Sequence, residues 1–515
     1  MDTHFRDIVS SRYQTARTRI VNKSIPQRMS VILFCMFGSI IINGIVASLN
    51  RMLVATGEII MEERNVTDEK QEQQARISKK PEELAVLHVS FSIAYMVALI
   101  PCGVLADKYG GKVFCLGGMI VAAIVCFFLP LIATYFSWIL FCSFMMILGV
   151  TQAFIRLGEA VLITRWTPIS ERACFGGFVF GARPVGHGLG HMLSWMAIHY
   201  KQYWFLVYLF WGTVGILWSV LYLLSVYEEP KKNPFISIKE KEIIEHEVPP
   251  RNLHKMPPWK QIVTCRGVWA LIVGQMGHTA TMFIIMLPLL SYTWWFHKLD
   301  PSYRGYKDMA TELDCLILLF TCVGLWLVSV STGIIIDHAV CNSMLHLRAS
   351  RIIPTCMGFA LPVTFLGIMA LVPHNWYLTK ICFVLAVLTK GFHFASFNVN
   401  YMDISINFCG TIVSSMLLPG EMVTCAIILW IVKSELLDWH VLVGTLLACS
   451  VFLMSHCVFL MIFFRQKWDY SENDELDRRQ RLVTFNKYVN SEELLLSYGT
   501  LETMIPIGNS RTAPF

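Results

Sequence analysis

The chain has 515 residues, of which 55% are hydrophobic and 15% charged, with a mean hydropathy of +0.54. A soluble protein of this length carries more charge, so composition places the chain in the membrane class before any motif is read. The net charge of +6 sits mostly in tails and loops and gives no sign of nucleic-acid binding, while sixteen cysteines scattered singly without a C-x-x-C read as small buried hydrophobes.

Residues 1–28 are polar and basic and lack the apolar core of a signal peptide, so the first hydrophobic span is expected to anchor without cleavage. A bilayer core needs about 20 apolar residues per helix. Twelve spans roughly meet that length: 29–50, 84–106, 113–134, 137–164, 173–198, 204–226, 267–290, 313–336, 352–373, 378–400, 408–433 and 437–464. Two of them, 137–164 and 378–400, contain charges, and omitting one reverses the topology downstream. The segment 227–266 divides the spans six and six. The chain thus reads as tail 1–28, bundle 29–226, central loop 227–266, bundle 267–464 and tail 465–515. That loop opens with prolines, reads as a short charged amphipathic helix, and breaks again at Pro249-Pro250.

Basic residues fix the orientation. The first tail, the turns at 107–112, 165–172 and 337–351, and the central loop all carry Lys and Arg and fall on one side, so that side and both tails are expected to be cytoplasmic. The loop 58–83 lies opposite and contains Asn65-Val66-Thr67, a glycosylation sequon on the side where glycosylation occurs. The final tail is polar and expected to be disordered, and its Tyr498 to Leu501 fits a signal read by sorting adaptors.

A charge at mid-membrane costs about 2.5–3.5 kcal/mol, so ionisable residues inside spans usually border a cavity. His88 opens the second span with Tyr95 two turns along the same face, and either relays a proton or is a satisfied interface histidine. That span ends in a glycine-rich elbow, Gly103, Asp107, Lys108, Gly110 and Lys112. The glycines permit a tight turn and close helix approach, Asp107 can face a helix N-terminus or a basic side chain, and the lysines anchor at the headgroups. Gly333 and Asp337 repeat the spacing after the eighth span, a mark of repeated halves. In the fourth span Arg156 and Glu159 share a face, either as a self-neutralising pair or as an anion-binding arginine held by Glu159 when the site is empty. Arg183, His187 and His191 repeat every four residues in the fifth span, a stripe that either lines a cavity or bonds across a helix interface. His278 of the seventh span is a weaker candidate. In the tenth span Lys390, His393, Phe397 and Asn400 share a face, and Lys390 either attracts an anion or pairs with Glu421. Asp403 either caps that helix or pairs with a basic loop. Metal-ligand spacings, phosphate-cradling loops and nucleophile–base sets are absent from the sequence, so no metal, cofactor or catalysis is expected.

These patches resemble a known family. The G-x-x-x-D-[RK]-x-G elbow is similar to the helix 2–3 loop of the major facilitator superfamily, which latches one conformation of a transporter. His88-Val89-Ser90-Phe91 resembles the H-x-S-F of the anion–cation symporter family (vesicular glutamate transporters, sialin, type I sodium–phosphate cotransporters). Arg165-Trp166-Thr167-Pro168-Ile169-Ser170-Glu171-Arg172 resembles its K-W-x-P-P-x-E-R, and Tyr227-Glu228-Glu229-Pro230 to Glu240-Lys241 its Y-x-x-P...S-x-x-E-K. Phe397-Asn398-Val399-Asn400-Tyr401-Met402-Asp403-Ile404 resembles its F-N-V-N-H-L-D-I, and the likeness covers roughly 84–465. It implies an all-α membrane protein of twelve transmembrane helices in two pseudo-symmetric six-helix bundles that rock about a central site. The chain departs where the family is charged. The helix 1 arginine aligns with Leu49, the helix 4 arginine with Met145 and the helix 4 glutamate with Gln152, while the helix 7 Arg/His position holds His278.

The expected function is secondary active transport of an organic or inorganic anion. Arg156, Arg183 and Lys390 are the expected cationic contacts, with His187, Asn400 and His278 completing the site. His88 and Glu159 are the coupling residues, to protons, sodium or membrane potential. The expected partners are a small anion, a co-transported ion and the bilayer of a plasma, lysosomal or secretory-vesicle membrane. The alternatives are a neutral or cationic solute, or a transport-inactive sensor of the same fold.

Overall fold

The computed structural model describes residues 26–63, 81–135, 138–199, 205–248, 257–299, 307–371 and 376–433, with Val451, Met454, Cys457 and Val458. The sequon at Asn65, the sorting signal at Tyr498 to Leu501 and most of the twelfth expected span lie outside these residues. The described residues are helical. The first half contains α1 (Gln27–Glu63), α2 (Pro81–Tyr109), α3 (Gly111–Tyr135), α4 (Trp138–Trp166), α5 (Arg172–His199) and α6 (Leu206–Ser225). Two short helices follow, α7 (Ile238–Glu247) and α8 (Trp259–Thr264). The second half contains α9 (Arg266–Leu299), α10 (Lys307–Cys341), α11 (Leu347–Leu371), α12 (Trp376–Thr389), α13 (Gly391–Ser396), α14 (Asn400–Ile404) and α15 (Cys409–Lys433).

Nine segments among the described residues are long and apolar enough to cross a membrane. α5 and α9 are also long, at 28 and 34 residues, and the glycines, histidines and Arg183 of α5 keep its hydropathy below that of the set. Each half packs internally, α1 on α5 and α2 and α3 on α4 in the first, α9 on α15 and α11 on α12 and α13 in the second. The halves meet through two equivalent pairs, α5 with α10 and α2 with α15. With no hydrophobic drive between helices in lipid, such crossings depend on small residues that let backbones approach. Gly103 shows this: a Cβ there would sit 2.6 Å from the Gly410 carbonyl oxygen of α15. Its repeat Gly333 stands likewise, a Cβ reaching 2.6 Å from Cys174 Cα of α5.

The tenth expected span is not one helix. It breaks at Lys390 between α12 and α13, and a 3₁₀ turn at Phe397–Val399 separates α13 from α14. Each break rotates the residues beyond it, so spacing rules for an unbroken helix fail there. In the central segment the amphipathic helix appears as α7, whereas α8 carried no signal in the sequence reading. The α7 carboxylates explain its docking. Glu240 accepts the backbone N–H groups of Gln27 and Arg28 at the start of α1, at 3.1 and 2.8 Å. Glu247 accepts that of Ile169 between α4 and α5. Helix N-termini expose unpaired N–H groups and positive dipole ends, and carboxylates satisfy both. Most described cysteines are buried and all are free thiols, as their scattered placement among apolar residues predicts.

A latch at one end and a cavity between the halves

The elbow after α2 works by the same capping chemistry, across the interface between halves. Asp107 accepts the backbone N–H groups of Gly410 and Thr411 at 2.7 and 2.8 Å and the Thr411 hydroxyl at 2.7 Å. Asp337, at the equivalent place on α10, accepts those of Ala173 and Cys174 at 3.1 and 2.7 Å. Each half therefore caps a helix of the other. Gly110 adopts φ +104°, a left-handed conformation that only glycine takes without strain, and closes the turn. Glu228 then caps α3 through Gly111 and Lys112 at 3.0 and 2.7 Å. Lys112 Nζ donates to the Leu223 carbonyl at 3.1 Å, and Lys108 lies over the Tyr109 ring. Asp403, left open between cap and ion pair, is a buried ion-pair centre: Arg172 of α5 and Arg351 of α11 donate to it at 3.0 and 2.8 Å. Arg165 adds a bond to Asn407 at 2.9 Å. These contacts join the two halves at this end.

Removing the Asp107 charge tests the latch. Asp107→Asn retains one acceptor oxygen but loses the interaction with the α15 dipole, at a cost of about 1–2 kcal/mol to the closed form. Cys409, the first residue of α15, is fully buried in the latch. In a background where it is the only thiol, its labelling by a permeant maleimide is expected to accelerate about tenfold in Asp107→Asn. An unchanged rate would show that the cap does not hold the ends together.

Deeper in, the halves line a partly open cavity, with about 390 Å³ of space when the adjoining open solvent is counted. The first half supplies Arg156 from α4 and Arg183 from α5; the second supplies Gln275 and His278 from α9, Asn398 from the 3₁₀ turn and Tyr401 from α14. Arg156 Nη1 donates to the Tyr95 hydroxyl at 3.1 Å, and its buried Nε has no acceptor. Arg183 stacks over Phe180, 4.8 Å to the ring centroid. Its Nη2 lies 3.6 Å from Glu159 Oε2, which also accepts the Ser39 hydroxyl at 2.7 Å.

Two contacts differ from expectation. Glu159 pairs with Arg183 of the neighbouring helix, while Arg156, on its own helix, bonds Tyr95 instead. Glu421 accepts the Ser92 hydroxyl of α2 at 2.7 Å in place of pairing with Lys390. Arg156, Arg183 and His278 line the cavity. Lys390, Asn400 and His187 are not among its lining residues. Lys390 is wholly buried at the helix break, His187 is half-buried one turn beyond Arg183, and the 3₁₀ turn brings Asn398 to the wall where an unbroken helix would bring Asn400. His88 lies on α2, with its side chain outside the described part of the structure. Gln275, Asn398 and Tyr401 escaped the sequence reading because neutral polar residues carry no insertion penalty large enough to stand out.

The comparisons agree with this geometry. The profile of the Major Facilitator Superfamily matches residues 29–416. A putative inorganic phosphate cotransporter of Drosophila ananassae is 25% identical over 329 residues, 63% of this chain and 66% of that protein. The probable vesicular glutamate transporter eat-4 of Caenorhabditis elegans is 28% identical over 330 residues, 63% of this chain and 55% of that protein. The matched stretch thus spans 55–66% of these relatives' lengths. The solved structure of the proton:xylose symporter XylE bound to 6-bromo-6-deoxy-D-glucose has a TM-score of 0.58 at 13% identity, covering 85% of this chain and 95% of that one, a likeness of fold. Paired halves, reciprocal caps and the profile match converge: this multi-pass membrane protein belongs to the Major Facilitator Superfamily.

Proposed function

We propose that the protein is a secondary active transporter carrying an organic or inorganic anion by alternating access. One observation carries this: two arginines of the first half, Arg156 and Arg183, line the cavity between the halves, and among the described residues Arg183 is ion-paired while Arg156 is not. Guanidinium forks suit carboxylate and phosphate groups. Gln275, Asn398 and Tyr401 supply neutral hydrogen-bonding groups opposite, and His278 a titratable one. The relatives' names, phosphate and glutamate transporters, support an anionic cargo. Glu159, held by Arg183 and Ser39, is the coupling residue in this reading, because an anion that recruits Arg183 leaves its carboxylate free to take a proton. The latch end and both tails are cytoplasmic by the basic-residue rule. The host membrane is the plasma, lysosomal or secretory-vesicle membrane, with Asn65 glycosylated on the far side and Tyr498 to Leu501 read by adaptors.

The test is uptake into proteoliposomes of radiolabelled phosphate, L-glutamate, N-acetylneuraminate and urate under imposed proton, sodium and voltage gradients. Saturable, gradient-dependent uptake of an anion is expected. Binding without uptake would make the protein a sensor, and uptake only of neutral or cationic solutes would overturn the anion assignment.

A further inference from the structure

We propose that Lys390 is a second proton-holding centre, in the second half, which takes up a proton when an anion enters the cavity. This rests on the anion reading above. Lys390 sits at the break between α12 and α13, wholly buried, and its Nζ meets no hydrogen-bond partner. One turn on, His393 is equally buried, and neither ring nitrogen has a partner. Its ring lies flat on His278, with centroids 4.3 Å apart and planes 5° apart, and on its other neighbour Phe397 at 4.5 Å. His278 is 7% exposed, its Nδ1 is also unpartnered, and it lines the cavity. A run of three nitrogen bases thus leads from the cavity wall to Lys390.

The charges around this run share one sign. Lys390, Arg156 and Arg183 act on His278, and Lys390 acts on His393. On the elements packed against α13 the titratable groups are Lys307, Asp308, Glu312, Asp314, Cys315, Cys322, Asp337, His338 and Cys341 of α10, Arg348, Arg351 and Cys356 of α11, Tyr377, Lys380 and Cys382 of α12, and Arg172, Cys174, Arg183, His187, His191 and His199 of α5. Asp337 is spent on capping α5 and Arg351 is paired with Asp403. No carboxylate among the described residues is bonded to any of the three bases. An uncompensated buried ammonium is expensive, and stacked imidazoles in contact cannot both be charged cheaply. An anion beside Arg156 and His278 supplies the missing negative charge. Linkage then works both ways: the anion favours the proton, and the proton favours the anion by the same factor. The proton enters from the cavity side and rests on Lys390 Nζ as an ammonium; no other bond changes.

The experiment measures proton uptake by the purified full-length protein in weakly buffered detergent with an indicator dye, on adding sulfate, L-glutamate or N-acetylneuraminate. In Glu159→Gln, uptake of about one proton per bound anion is expected to remain, with anion affinity rising about tenfold per unit fall in pH across the linked range. In Lys390→Met added to that background, uptake is expected to vanish and the affinity to lose its pH dependence. Methionine keeps the apolar stem and removes a buried charge, so the fold is expected to survive; Lys390→Gln is the second variant. Loss of all uptake in Glu159→Gln alone, or its persistence after either Lys390 change, would overturn the proposal. Anion binding without any proton uptake overturns it and leaves the anion reading standing. Binding of none of these anions overturns both.

Discussion

Arg156→Gln is expected to lower anion uptake into proteoliposomes by about 100-fold at limiting substrate, because two charge-assisted hydrogen bonds to an anion contribute about 3 kcal/mol together. Arg156 differs from Arg183 in how its charge is met. Arg183 already has a carboxylate 3.6 Å away, so part of its charge is spent before any cargo arrives. Among the described residues Arg156 bonds the Tyr95 hydroxyl, at 3.1 Å, and its buried Nε has no acceptor. A cation so poorly satisfied is a reservoir of binding energy for an arriving anion. Arg156→Lys keeps the charge and loses the planar fork, so an intermediate loss of about tenfold is expected. The loss in both variants should fall on KM, since the group binds cargo and performs no chemistry. Uptake by Arg156→Gln within twofold of the unaltered protein would remove Arg156 from the site.

How legible was this in the sequence? The fold was readable because the bilayer imposes a length and a polarity on each helix, and because Gly103 with Asp107 recurs as Gly333 with Asp337. The recurrence also exposed the latch, although the receiving helices were hidden: nothing about Gly410 or Ala173 as residues announces that its backbone N–H will be capped. Charges in the cavity were readable from their cost. Arg156 and Arg183 stood out because lipid does not tolerate them, and they line the cavity between the halves. Their partners were not, since same-helix spacing proposes Arg156 with Glu159 while the packing of α1 on α5 brings Arg183 and Ser39 to that carboxylate. The tenth span failed for a different reason. Helical periodicity was carried through residues 390–400, where the chain breaks and then tightens into a 3₁₀ turn. The His393–Phe397 neighbourhood survived this, because both lie before the turn's effect accumulates, whereas Asn400 gave way to Asn398 and Tyr401.

The largest expected loss of stability belongs to Asp403→Asn. Its carboxylate is shared by two buried arginines, Arg172 at 3.0 Å and Arg351 at 2.8 Å, each 2% exposed. Removing one charge from such a set strands the others, at about 3–5 kcal/mol. The two arginines escape that penalty differently. Arg172 comes from the first half, so opening the latch end can return it to water. Arg351 shares the second half with Asp403, so opening leaves it where it is. Asp403→Asn is therefore expected to lower the melting temperature and to speed Cys409 labelling together. Adding Arg351→Met removes the stranded charge of the second half, so the melting temperature should recover while the labelling stays fast. If the double variant restored both, the latch would be indifferent to Arg172, and the triad would be a packing element of one half with no part in holding the two closed.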